Sequence, residues 1–281
     1  MKNFWSNKKV LITGHTGFKG SWLVTWLTHL GAEVYGLSLK SKTDPSHWDL
    51  LENKTTRSDE LDIRNVSDLR TFIADIKPEI VFHLAAQAIV RESVTDPLPT
   101  WTTNIIGTSN ILEIARETST IRVIVVVTSD KVYADNKIIE AYDEDSELGG
   151  KTPYNASKAC AELVCSCYAN MYKNEDKNIF LATARAGNVI GGGDWSKDRI
   201  IPDIVKANFS NEKLKLRFPT AVRPWQHVLD CLNGYLVLAQ KLAQRDTKFV
   251  GPWNFGPDID DCIQVQVLLE EFKKRWPKLT W

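Results

Sequence analysis

The chain has 281 residues, and its 35 Lys+Arg balance 35 Asp+Glu to a formal net charge of zero, so composition offers no basic face for a nucleic acid or an anionic membrane. Hydrophobic residues make up 43% and charged residues 25%, ordinary for a globular protein long enough for one large α/β domain or two lobes around a cleft. No apolar run approaches the roughly 20 residues that cross a bilayer. The stretch from Met1 to Lys9 leads straight into a first strand and leaves no room for a signal peptide. Cys160, Cys165, Cys167, Cys231 and Cys262 have neither disulfide-scaffold spacing nor a CxxC metal pair. A reduced, cytoplasmic protein with no metal site is expected.

Val10, Leu11 and Ile12 read as a buried parallel strand, followed by glycines at 14, 17 and 20. Trp22, Leu23, Trp26, Leu27 and Leu30 then recur at helical spacing. Strand, glycine turn and helix aim backbone N–H groups and a helix N-terminus at one point, which suits a pyrophosphate. The usual dinucleotide fingerprint is G-x-G-x-x-G with an acid about 20 residues on. Here it is G-x-x-G-x-x-G, and the second strand, residues 33–39, ends without an acid. Residues 58–64 read as the end of a third strand and 66–76 as an amphipathic helix stopped by Pro78. A fourth strand spans 79–86, a long helix 97–117 and a fifth strand 123–128. A helix over 153–172 and a sixth strand over 179–184 follow. Alternating helices and continuously apolar strands predict a doubly wound parallel sheet, the Rossmann arrangement, over residues 1–187. From Asn188 the alternation degrades, punctuated by Gly191-Gly-Gly193 and by Pro202, Pro219, Pro224, Pro252 and Pro257, so 188–281 is expected to be a smaller, irregular substrate lobe partly interleaved with the first domain. Helices are expected at 228–242 and 264–275.

Ligands of open α/β sheets bind at the carboxyl ends of the strands. Three groups fall there: Thr128-Ser129-Asp130-Lys131, Tyr154-Asn-Ala-Ser-Lys158, and Arg185-Ala-Gly-Asn188. Tyr154 and Lys158, four apart, share a helix face. A neighbouring ammonium favours the phenolate, bringing the phenol toward use as a base near neutrality. Ser129 can bond the same substrate oxygen.

These residues resemble the extended short-chain dehydrogenases/reductases that act on nucleotide sugars, over essentially the whole chain. Thr13-Gly-His-Thr-Gly-Phe-Lys-Gly20 looks like the family's glycine signature, Asp62-Ile63 its adenine-binding pair, and His83-Leu-Ala-Ala-Gln87 the segment beneath the cofactor. Asn104 to Thr108 resembles the buttressing helix, and Tyr154 with Lys158 the catalytic pair. The resemblance implies NAD held by Gly14, His15, Gly17, Phe18, Gly20, Asp62, Ile63, Leu84, Ala85, Ala86, Thr128, Tyr154 and Lys158. Three runs (residues 14–23, 184–195 and 223–228) and the Asp130-Lys131 pair are similar to the family's dehydratase branch for CDP-linked sugars. By that resemblance Asp130 protonates a leaving hydroxyl and Lys131 handles the sugar's C5 proton. Arg199 and Arg223 are candidates for the substrate diphosphate, because a guanidinium grips phosphate bidentately. Asn188 would meet a phosphate or sugar oxygen, with Gln87 and Arg91 near the sugar, and a homodimer is expected.

Two features depart from that pattern. The missing acid leaves NAD favoured over NADP by resemblance alone, with Lys40 and Lys42 nearby. Family members also continue past Trp281, so the substrate lobe is expected to be C-terminally truncated. An epimerase, a dehydratase for another base, and a catalytically inactive cofactor-binding homologue remain alternatives.

Overall fold

A computed structural model describes residues 1–51, 55–135, 141–196 and 199–281. A short helix, α1 (Lys2–Trp5), buries Trp5 and leads into β1 (Lys9–Thr13), whose Val10, Leu11 and Ile12 are fully buried. The glycine turn opens α2 (Phe18–His29), followed by β2 (Glu33–Ser38), the single turn α3 (His47–Leu50) and β3 (Arg57–Glu60). In α4 (Val66–Ile76) the Asn65 side chain caps the start by accepting from the Asp68 N–H. Lys77 ends it in the left-handed region at φ 49°, just before Pro78.

Next come β4 (Ile80–His83), α5 (Val90–Thr95) and α6 (Pro97–Trp101). A wider π turn over Thr102–Gly107 joins α6 to α7 (Thr108–Glu117), so the single helix expected over 97–117 is interrupted. The interruption falls at Asn104, whose side chain accepts from the Gln87 N–H, and at Gly107, against which the Ile63 side chain packs. Then follow β5 (Val123–Val127), α8 (Pro153–Asn174) and β6 (Phe180–Ala186). The remainder comprises β7 (Val189–Ile190), α9 (Ile200–Ser210), β8 (Val222–Pro224), β9 (Gln226–His227), α10 (Val228–Ala243), β10 (Gly251–Phe255), β11 (Cys262–Gln264) and α11 (Val265–Arg275).

The main sheet runs β3-β2-β1-β4-β5-β6-β10 with every pair parallel. Strand order reverses between β1 and β4, which opens a crevice at their carboxyl ends. One face is covered by α2 and α10 through Leu23, Leu27, Leu232 and Leu236, the other by α4, α7 and α8 through Phe72, Leu112 and Cys165. The seventh strand, β10, escaped the sequence reading because Pro252 argues against a strand. Proline is tolerated there because β10 is an edge. Thus α10 and β10 return to the main sheet, while α9 and α11 share a separate small core of Ile204, Ala207, Leu214, Leu269 and Leu279.

Candidate active site

The crevice floor is built by short polar contacts between β1 and β4. Gly14 adopts φ +73°, and a Cβ there would lie 2.7 Å from the Ala85 backbone nitrogen, so only glycine lets the turn settle on β4. Thr13 Oγ1 accepts from the Ala85 N–H at 3.1 Å and contacts His83 Nδ1 at 2.7 Å. Because Thr108 gives its proton to the Asn104 carbonyl, it accepts from His83 Nε2–H at 3.1 Å, which leaves Nδ1 as the acceptor from Thr13. Burial pushes the His83 pKa down to about 3, so this pin stays neutral. Gln87 turns its amide onto its own loop, bonding Ile89 through both N–H and carbonyl, while its backbone is held by Asn104.

The glycines fit a dinucleotide. A Cβ on Gly20 would lie 2.2 Å from the Gly14 carbonyl oxygen, so Gly20 closes the turn. One on Gly17 would meet only that oxygen, at 3.3 Å, leaving room over the start of α2. Gly17 caps α2 with no side-chain hydrogen bond, so the first-turn amides are open to an anion. Phe18, at the first position of α2, lies against Gly191 at the start of the small lobe.

At the far side of the crevice, Pro153 opens α8 and the Thr152 hydroxyl caps it by accepting from the Asn155 N–H. That cap sets Tyr154 and Lys158, both nearly buried, against the end of β5. The Lys158 ammonium donates to the Val127 carbonyl at 3.0 Å. Burial, with Lys19 close by, lowers its pKa to about 8 against the pull of Glu162. The Tyr154 phenol is raised by burial, and the charge of Asp130 adds to the rise; the nearby Ser129 hydroxyl and the charge of Arg199 pull it back. This differs from the expected lowering by Lys158, whose ammonium is directed at the strand end instead. Beyond Tyr154 the chain leaves β5 through Ser129, whose hydroxyl donates to Asp130 Oδ1 at 3.1 Å. Lys131 Nζ reaches the same oxygen at 3.2 Å, and a Cβ on Gly187 would lie 3.2 Å from Asp130 Oδ2 and 3.1 Å from Pro224.

A buried ion pair underlies this strand end. Glu162 accepts from Arg185 at 3.0 Å and Thr183 at 2.7 Å, and Thr128 also donates to it. Thr128 therefore points beneath the crevice rather than into it. Arg185 continues to Tyr133 and the Glu144 carbonyl, and Tyr133 to Asn254 on β10. Sequence reading missed Glu162, although it lies one turn beyond Lys158 on the same stripe. It also missed Lys19, inside the glycine turn, which donates to Tyr235 at 3.2 Å.

The other end of the crevice holds a cavity of about 460 Å³ lined by His15, Ser38, Lys40, Trp48, Ser58 and Glu60 among others. His15 directs its ring onto β2 and β3: it bonds Ser58 at 2.7 Å, meets Trp48 edge-on and fills the space a Gly36 side chain would need. Burial lowers its pKa. Asp62 accepts from the backbone and guanidinium of Arg64, and Ile63 is buried against Gly107. In the small lobe, Arg199 precedes α9 and pairs with Asp194 at 3.0 Å, and exposed Arg223 bonds the Val222 carbonyl. Asn188 is half-buried between β6 and β7, and Arg91 is exposed on α5. No group of three metal-ligating side chains occurs among the described residues.

Residues 10–251 match the model of the NAD dependent epimerase/dehydratase family. A CDP-glucose 4,6-dehydratase of Salmonella typhimurium is 46% identical over 280 residues, covering 98% of this chain and 78% of that protein. An epimerase structure from Methanothermobacter thermautotrophicus superposes with a TM-score of 0.87 at 24% identity, over 99% of this chain and 80% of the other. A Thermus thermophilus UDP-glucose 4-epimerase in complex with NAD gives 0.83 at 23% identity, over 96% and 84%.

Proposed function

Because this chain belongs to the NAD dependent epimerase/dehydratase family, we propose that it is a hydro-lyase converting CDP-glucose to CDP-4-keto-6-deoxyglucose and water. The observation that carries the reading is the Asp130–Lys131 ion pair, 3.2 Å apart at the carboxyl end of β5, within one element of Tyr154. A plain dehydrogenase needs Tyr154, Lys158 and Ser129; elimination needs two further proton-transfer groups, and Asp130 and Lys131 at the same strand end supply an acid and a base.

NAD, which the turn at Gly14, Gly17 and Gly20 would hold, would supply the hydride acceptor for C4 and the hydride donor for C6. Tyr154 accepts the proton of the 4-hydroxyl while Ser129 holds that oxygen. Passing one proton across the Lys131–Asp130 contact turns the ion pair into a neutral amine and a neutral acid. Lys131 then removes the C5 proton, acidified by the new ketone, and Asp130 protonates the departing C6 hydroxyl. Those two transfers restore the ion pair. Lys131 returns a proton to C5, and exchange with solvent then takes the extra proton from Tyr154 and gives Lys131 back the one it lost. Arg199 and Arg223 clamp the diphosphate, with Asn188, Gln87 and Arg91 toward the sugar, and the 188–281 segment outside the main sheet forms the substrate lobe.

We further infer a homodimer, supported by Ile106 and Leu163, which are 52% and 60% exposed on the joined helices beside α8 and on α8 itself. The five free cysteines fit a reducing, cytoplasmic setting. Among the described residues no helix is long and apolar enough to cross a membrane. Incubation with NAD and CDP-, dTDP-, GDP- or UDP-glucose tests the assignment: 4-keto product from CDP-glucose supports it, and product from another base alone rejects it.

A further inference from the structure

In the dinucleotide fingerprint an acid at the end of the second strand accepts from the adenosine ribose and disfavours a 2′-phosphate. Here β2 ends Ser38-Leu39-Lys40. We propose that Glu60, on the neighbouring strand β3, supplies the missing carboxylate and makes this pocket select NAD over NADP. The proposal rests on the NAD reading of the glycine turn and not on the sugar chemistry.

Parallel pairing sets Glu60 opposite Ser38, the last residue of β2. Neighbouring strands lie about 4.8 Å apart, so the carboxylate arrives one strand over from the position the fingerprint uses. Alternation along β3 puts Glu60 on the face of Ser58, whose hydroxyl bonds His15 in the glycine turn. Both line the cavity between the turn and the ends of β2 and β3, where a dinucleotide on this fold places its adenosine half.

Three carboxylates line that cavity, and two are already engaged. Asp59 is gripped by both Nε and Nη2 of Arg57, at 2.9 and 2.7 Å. Asp49 accepts from the Ser46 hydroxyl at 2.5 Å. Among the described residues Glu60 is paired only with the Lys40 ammonium, at 3.7 Å, beyond hydrogen-bond range. Its oxygens can accept from a ribose hydroxyl, whereas a 2′-phosphate would bring like charge against them. Glu60 also sets its charge beside Lys40, the one Lys or Arg lining the cavity among the described residues, and so weakens that ammonium's attraction for the phosphate. Removing the carboxylate therefore loses a hydroxyl acceptor and frees a cation together.

Calorimetric titration of the full chain with NAD and with NADP, in the absence of sugar, reads this directly. The unaltered chain is expected to bind NAD more tightly. Glu60→Gln should weaken NAD and strengthen NADP, so that the ratio of the two Kd values moves at least about fivefold toward NADP. Glu60→Lys should carry it further, and adding Lys40→Ala to Glu60→Gln should cancel the gain in NADP affinity. A smaller movement in Glu60→Gln, or an NADP gain that survives Lys40→Ala, overturns the proposal. Failure of the dehydratase reading would appear elsewhere, as absence of 4-keto sugar from an enzyme whose cofactor preference still responds to Glu60.

Discussion

The Lys158 ammonium donates to the carbonyl oxygen of Val127, tying α8 to the strand end that carries Ser129, Asp130 and Lys131. Its burial has a consequence for stability. The folded pKa, near 8, lies below the ordinary 10.5, so the fold carries the cost of a buried charge below about pH 8. That cost fades as pH rises from 8 toward 10.5. Lys158→Met should accordingly stabilise the fold at pH 7 by up to about 3 kcal/mol less the lost hydrogen bond, seen as a higher melting temperature, while abolishing turnover. The stability gain should shrink steadily in melts taken above pH 8. A variant less stable than the parent at pH 7 contradicts this account of the site.

The Glu162–Arg185 pair should behave in the opposite way. Both side chains are about 96% buried, and each serves partners on a different element. Arg185→Met strands a buried carboxylate and should cost about 3–5 kcal/mol in urea denaturation. Replacing both members, Glu162→Leu with Arg185→Met, should recover part of that loss, because no unpaired charge remains.

Two glycines of the turn should separate folding from cofactor binding. Gly20→Ala drives a Cβ into the Gly14 carbonyl and should destabilise the fold itself. Gly17→Ala meets one backbone oxygen at 3.3 Å, so the fold should survive while NAD affinity drops at least about tenfold. Thermal melts and calorimetry on both variants check the pair, and equal effects of the two on melting would refute it.

The chain alone made β1 through β6, the glycine turn and the Tyr154–Lys158 helix legible, because apolar runs and turn glycines are local signals. What escaped it depends on contacts between distant segments. β10 is a strand only because β6 offers it an edge, and its Pro252 masks it locally. His15 occupies a spacer position in the turn, yet its ring is captured by Ser58, 43 residues away. Tyr154 was expected to feel Lys158 directly. The phenol is instead governed by its burial and by Ser129, since nothing in the i,i+4 spacing reveals that the ammonium finds a strand carbonyl first. Glu162 needed the packing of α8 against β5 and β6 before its threonine and arginine partners came together.

The central claim is that this crevice eliminates water from a CDP-linked hexose. It is tested most directly by incubating the protein with NAD and CDP-glucose in deuterium oxide and examining the sugar by NMR. Elimination across C5 and C6 requires loss of the C5 proton, and in the proposed mechanism Lys131 removes it and exchanges it with solvent. The account therefore predicts a 4-keto-6-deoxy sugar carrying deuterium at C5, with yield cut about 10²–10⁴-fold by Lys131→Ala. Recovery of CDP-glucose or its 4-epimer with protium intact at C5, or undiminished product from Lys131→Ala, would contradict it.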